Sequence, residues 1–386
     1  MTKKHWENRP ISASDFMHEL RRYEKGSVSR RHFLGVTGLG AATAVLGAAI
    51  PALRPRKAYA ALSGTVNLTT WPNYHAQKNL DAFTAKTGVK VNMNVFGSNE
   101  EMLAKLQAGS TGWDVFVPTN YTISTYKDLG LIEPLDLAKL PNYAAGSQDG
   151  RFTAEGTIGG TVYAVPKDWG TTGFVINTKK VTQDPKSWKE FWELAKGPLT
   201  GRVMVHDYQL TTIGNALKSF GYSFNSNDPA QLAEAEKLLL SVKPHLFGIN
   251  SDYQPSMRNG DAWASVCWTG DATQLHRDLP EMRYVLGREG GEIWSDLYAI
   301  PKGAPNPEAA YALIDYMLTP DVNAKEAQAN GYPPTDSRVT ALLPKVILEN
   351  PILYPAKELL APLEFGVAAT LTNPLRAEIM ARFKAA

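Results

Sequence analysis

One cysteine, Cys267, stands among 386 residues. No intrachain disulfide can form, so the folded state must rest on a buried core. Charge of one sign is equally scarce. There are 40 basic and 38 acidic side chains; residues 1–60 hold 11 and 4 of them, leaving 29 against 34, a formal −5, for residues 61–386. A mildly acidic chain lacks the basic footprint of a nucleic-acid or anionic-lipid binder. Enzyme signatures are missing too: no GxGxxG after a strand, no P-loop, no HExxH, no CxxC or CxxCH and no GxSxG, so no cofactor and no catalytic role is expected. His75, His206, His245 and His276 are scattered, without metal-ligand spacing. Only "HDY", residues 206–208, sets titratable groups side by side as acid–base chemistry would require. There is no internal repeat, low-complexity tract or heptad run.

A long apolar run occurs near the N-terminus. "SRRHFLG", residues 29–35, precedes "VTGLGAATAVLGAAIPAL", and Arg54, Arg56, Lys57 and "AYA" (58–60) follow. The order resembles a twin-arginine export signal through Ser29, Arg30, Arg31, Phe33 and Leu34, with a small-x-small cleavage site placing the mature start at Ala61. An uncleaved span is the competing reading, because about 20 apolar residues cross a bilayer; Pro51 and the glycines argue against it. A lipid anchor would need a cysteine at the processing site. A soluble, monomeric protein exported to the periplasm is therefore expected.

From residue 61 onward strand and helix patterns alternate. "GTVNLTTW" predicts a strand, "HAQKNLDAFTAKTG" a helix closed by Gly88, "VKVNMNVF" a strand, "NEEMLAKLQAG" a helix, "WDVFVPT" a strand and "YTISTYKDLGLI" a helix over 121–132. "TGFVINTKKV" and "GRVMVHDY" begin a second strand series, and helices are predicted over about 229–241 and 306–318, the latter opened by Pro307 and ended before Pro320. A βαβ alternation implies mostly parallel sheets with crossovers on both faces. Ligands of such sheets bind beyond the strands' C-terminal ends. Those ends are aromatic here: "TTWPNYH", "VFVPTNY", "SVCWTGDATQ" and "EIWSDLY". On a strand, Trp294 and Asp296 share a face, an aromatic surface beside a carboxylate.

Taken in order, "TTWPNYH", "GVKVNMNVFGSNEEMLAKL", "WDVFVPTNY", "DWGTTGFVIN", "CWTGD", "GGEIWSDLYAIPKGA" and "NGYP" resemble the periplasmic spermidine/putrescine-binding proteins of ABC transporters across almost all of residues 61–386. The resemblance implies a two-lobed α/β fold of the type II periplasmic-binding-protein class, each lobe a mostly parallel sheet flanked by helices, hinged around a cleft. Residues 1–60 would be the signal, 61–170 plus about 297–330 one lobe, and 171–296 plus about 331–386 the other. Matched positions make Trp71, Tyr74, Thr119, Tyr121, Trp268, Asp271, Trp294 and Asp296 the expected ligand contacts, with Tyr332 a further wall. The implied partners are a polyamine, an inner-membrane ABC permease and the twin-arginine export machinery.

Three positions depart from that pattern. An acidic cluster expected after "VMVH" is reduced to Asp207, with Tyr208 and Thr211 where carboxylates would stand. Asn73 occupies the place of an acid two residues after the first Trp. Asp168, in "PKDWG", could supply a replacement charge or could simply pair with Lys167. The identity of the amine stays open. A quaternary amine would also suit aromatic walls, a ferric cargo would want clustered tyrosines and carboxylates, and an enzyme exported folded is a more distant alternative.

Overall fold

A computed structural model describes residues 64–109 and 112–386. The paired arginines, the apolar run and the cleavage site at Ala60 lie outside the described residues. Among those described, no helix is long and apolar enough to cross a membrane.

The first elements follow the expected alternation: β1 (Thr65–Thr70), α1 (Gln77–Thr87), β2 (Lys90–Val95), α2 (Asn99–Ala108) and β3 (Val115–Phe116). Strand β1 runs between β2 and β3, parallel to both. Helix α1 stops at Gly88, whose φ of 79° is left-handed and whose N–H caps Thr84 O, a conformation glycine adopts without a Cβ clash. Helix α2 opens on Ser98, whose hydroxyl accepts from Glu101 N, a side-chain cap on an otherwise unpaired N–H. The helix expected over 121–132 is shorter. A 3-10 turn at Asn120–Thr122 leads into a helix over Ile123–Asp128, and left-handed Gly130 turns the chain away.

A small hairpin, β4 (Thr157–Ile158) and β5 (Thr161–Val162), precedes β6 (Ala164–Asn177), every residue of which is buried. Next come α3 (Trp188–Lys196), β7 (Val203–Val205), α4 (Gln209–Lys218), α5 (Pro229–Val242), β8 (Gly248–Ile249), β9 (Ala264–Trp268), α6 (Thr269–Asp278), β10 (Met282–Val285) and β11 (Gly291–Ala299). Helices α7 (Pro307–Met317) and α8 (Pro320–Asn330), strand β12 (Leu363–Phe365) and helix α9 (Pro374–Ala385) complete the set used below.

The main sheet has the order β2-β1-β3-β11-β6-β9-β7-β8, with β10 beside β6 and β12 beside β11. Each flank is parallel, as the alternation implied. The middle is not: β6 and β11 run antiparallel to each other, β11 is antiparallel to β3, and β6 to β9. These two long strands carry the chain from one flank to the other and back, which forces opposite directions. A register shift interrupts their pairing between Asp296 and Leu297.

Around β7 and β9, Trp188, Phe191 and Trp192 of α3 pack with Phe174, Ile213, Leu232, Leu239, Ile379 and Phe383, all at most 1% exposed. Each such side chain contributes about 1.5–3 kcal/mol when buried. A core of this extent replaces the covalent staple that a single, buried Cys267 does not provide.

Candidate functional site

The C-terminal ends of β1, β3 and β9 converge on the face of β11. Trp71, Tyr74, Thr119, Tyr121, Tyr208, Trp268, Trp294, Asp296 and Tyr332 line one narrow cavity, together with Pro72, Asn99 and Glu292. Sequence elements far apart in the chain meet here because the two flanks run in opposite directions and aim their strand ends at the middle of β6 and β11: Thr119, just past β3, bridges Asp296, and Trp268, the last residue of β9, pairs with Thr172.

Aromatic rings form most of the wall. Trp71 meets Trp268 edge-on at 5.7 Å, and its indole N–H donates to Val117 O at 3.0 Å, which fixes the ring. Tyr332 stands 4.9 Å from Tyr74 and 5.4 Å from Trp294. Two glycines make room for these rings. A Cβ on Gly170, the partner of Trp294 across β6, would lie 2.5 Å from the Trp294 ring, and one on Gly270 would lie 2.3 Å from the Tyr332 ring. The glycines of "DWGTTG" and "WTGD" are thus steric requirements of the cavity.

Two carboxylates belong to the wall, and no cationic side chain does. Asp296 is 4% exposed, and its Oδ1 has no hydrogen-bond partner among the described residues. Burial, and then the neighbouring Asp168 carboxylate, push its carboxyl up to about 8, although the Thr119 and Tyr74 hydroxyls and Lys167 pull the other way. Glu292 is 2% exposed. Burial pushes it up to about 7 against the Thr172 and Thr211 hydroxyls. The nearby ammonium of Lys167 is already engaged, 2.6 Å from Asp168 Oδ2 and 3.7 Å above the Tyr74 ring.

Three expected residues are not in the wall. Asp168 sits behind Tyr74, whose hydroxyl donates to its Oδ1, so it is paired with Lys167 and removed from the cavity. Asp271, in the first turn of α6, is buried and held by Tyr253 and Gln254 while burial raises its carboxyl to about 7. Asn73 is exposed in a turn with φ 54°. The "HDY" segment has no acid–base geometry. Burial pushes the His206 imidazole down to about 3 against a contact with the Val266 backbone, and it stacks on Tyr208 and Tyr253, while Asp207 takes the Ser251 hydroxyl.

Glu292 and Asn99 line the cavity without having been singled out in the sequence. Asn99, at the start of α2, donates to the Thr119 and Tyr121 hydroxyls at 3.1 and 3.0 Å. Only a helix N-terminus aimed at the strand ends could have pointed to it. The signal for Glu292 was simpler: the same period of two that joins Trp294 to Asp296 extends back to residue 292.

The profile of the bacterial extracellular solute-binding protein family matches residues 78–354. The chain is 33% identical over 308 residues to the spermidine/putrescine-binding periplasmic protein 1 of Haemophilus influenzae, covering 79% of this chain and 84% of that protein. It is 30% identical over 321 residues to the putrescine-binding periplasmic protein SpuD of Pseudomonas aeruginosa, covering 79% and 88%. Among solved structures, a putative spermidine/putrescine ABC transporter protein from Listeria monocytogenes superposes with a TM-score of 0.75 at 29% identity, covering 83% of this chain and 98% of that one. The family profile, the identity to these relatives and the extent of the match agree: the chain belongs to the bacterial extracellular solute-binding proteins.

Proposed function

We propose that the protein is the substrate-binding component of an ABC importer, capturing a polyamine such as putrescine or spermidine in the periplasm and delivering it to an inner-membrane permease. The observation that carries this reading is the aromatic-walled cavity in which buried Asp296 presents an oxygen without a partner among the described residues. An alkyl polyamine is an apolar chain with ammonium groups. Rings along its length contribute contact area and about 0.5–2 kcal/mol per ammonium through cation–π attraction. A charge-assisted hydrogen bond adds about 1.5–3 kcal/mol. Micromolar affinity requires about 8 kcal/mol net of ordering costs, so several such contacts must act together. A quaternary amine would use the rings but has no N–H to offer the carboxylates.

In this reading β6 and β11 are the hinge strands. The lobes are 61–170 with about 297–330 and 171–296 with about 331–386, and the second boundary falls at the register shift after Asp296. Export follows the twin-arginine route, with cleavage after Ala60. Calorimetry on the chain from Ala61 should show putrescine or spermidine binding well ahead of choline; choline binding as tightly as both amines would overturn the reading.

A further inference from the structure

Glu292 is a buried carboxylate that faces the cavity, and no cationic side chain lines that cavity beside it. Two hydrogen-bond chains end on one of its oxygens. In the first, Trp268 Nε1 donates to the Tyr208 hydroxyl at 3.2 Å, the Tyr208 and Thr211 hydroxyls share a 2.5 Å hydrogen bond, and Thr211 donates to Glu292 Oε2 at 2.9 Å. In the second, Trp294 Nε1 donates to Thr172 Oγ1 at 3.2 Å and the Thr172 hydroxyl donates to the same Oε2 at 2.7 Å.

An indole N–H can only donate, and a hydroxyl has a single proton. When Glu292 is ionised both chains run towards it, with Tyr208 donating to Thr211 and Thr211 and Thr172 donating to Oε2, an arrangement that favours the charged form. The other oxygen, Oε1, takes part in neither chain. The carboxyl is thus oriented at the cavity wall through Oε2, with Oε1 outside both chains.

Glu292, Trp294 and Asp296 occupy alternate positions of β11 and all reach the cavity. Their backbone spacing sets the two acids about 13 Å apart at Cα, with the indole between them. We propose that Glu292 is a second ammonium anchor, and that the ligand is an amine with two ammonium groups on one chain, one held at Asp296 and the other at Glu292, the intervening methylenes lying along Trp294. This rests on the polyamine reading above and deepens it. The anchor stands beside Thr211 and Tyr208, where the resemblance leaves the cavity short of carboxylates, and it comes from a different element of the fold.

The test compares putrescine with 1-butylamine, the same four-carbon chain carrying one ammonium, by calorimetry on the wild-type protein and on Glu292→Gln. The wild type should prefer putrescine by about 30-fold or more, the factor expected for one charge-assisted contact in a dry site. Glu292→Gln should bind putrescine about 30-fold or more weakly, keep the 1-butylamine affinity and so lose most of the preference. Unchanged putrescine affinity in Glu292→Gln would overturn the proposal. Equal wild-type affinity for the two amines would also do so, and that comparison holds even if the variant does not fold. A wild-type protein that binds neither putrescine nor spermidine would remove the polyamine reading itself, and the anchor with it.

Discussion

The two carboxylates of β11 are a matched pair in different settings. Asp296 and Glu292 lie on the same face of the strand, and each is buried with a raised pKa. Part of the rise at Asp296 comes from a second carboxylate, Asp168, so its environment is strained by like charge and relieved by a cation. At Glu292 burial alone raises it, and polarised hydroxyls hold the anion in place. The difference separates two ways of preparing a cation site: leaving charge uncompensated, and pre-orienting donors around it. In both, burial favours the neutral carboxyl in the free protein, and a ligand's ammonium would favour the ionised form.

Removing charge at the uncompensated end should have the largest effect. Asp296→Asn keeps shape and some hydrogen bonding but is expected to cost about 2–4 kcal/mol of putrescine binding, roughly 30- to 1,000-fold in Kd by calorimetry. The melting temperature without ligand serves as the folding control, because deleting a strained charge should leave it unchanged or raise it.

The ring between the two ends should matter less. Trp294→Leu is expected to cost about 1–3 kcal/mol of putrescine binding through lost ring area and cation–π attraction. Smaller again is Tyr208→Phe, which removes one hydroxyl from the chain leading to Glu292 and should weaken putrescine by about 2- to 10-fold, the worth of one neutral hydrogen bond. An equal loss of putrescine and 1-butylamine affinity would show that Tyr208 acts through the wall and not through Glu292.

The smallest expected effect is on stability. Asp296 rises from 3.8 to about 8 and Glu292 from 4.5 to about 7 in the folded state. The folded protein therefore holds protons that the unfolded chain releases. Their stabilising contribution is complete below about pH 4 and is lost as pH climbs through 7 and 8. Scanning calorimetry of the ligand-free protein should show a fall of a few degrees between pH 5 and pH 9. Asp296→Asn should flatten that fall more than Glu292→Gln, since its pH window is wider.

Much of this was legible in the sequence. Gly88 closes α1 and Pro307 opens α7 as local rules require, and the strand-end aromatics gather because the two parallel flanks point at each other across β6 and β11, while Trp294 lies inside β11 and not at its end. The long β6 was seen only in its second half, since a strand buried on both faces has no alternation to betray it. Asp271 looked equivalent to Asp296 because a motif records spacing and not the direction a helix turn gives a side chain. Asp168 could not be assigned without knowing that Lys167 folds over Tyr74. Glu292 was overlooked although its signal was present, two residues before Trp294 on the same face.

The most direct test of the central claim is a crystal structure of the protein bound to putrescine. The account predicts one ammonium nitrogen about 2.7–3.2 Å from the Asp296 carboxylate, the other facing Glu292 Oε1, and the methylenes against Trp294. Ammonium groups lodged at Asp271 or left in solvent, with Asp296 and Glu292 both bare, would contradict it.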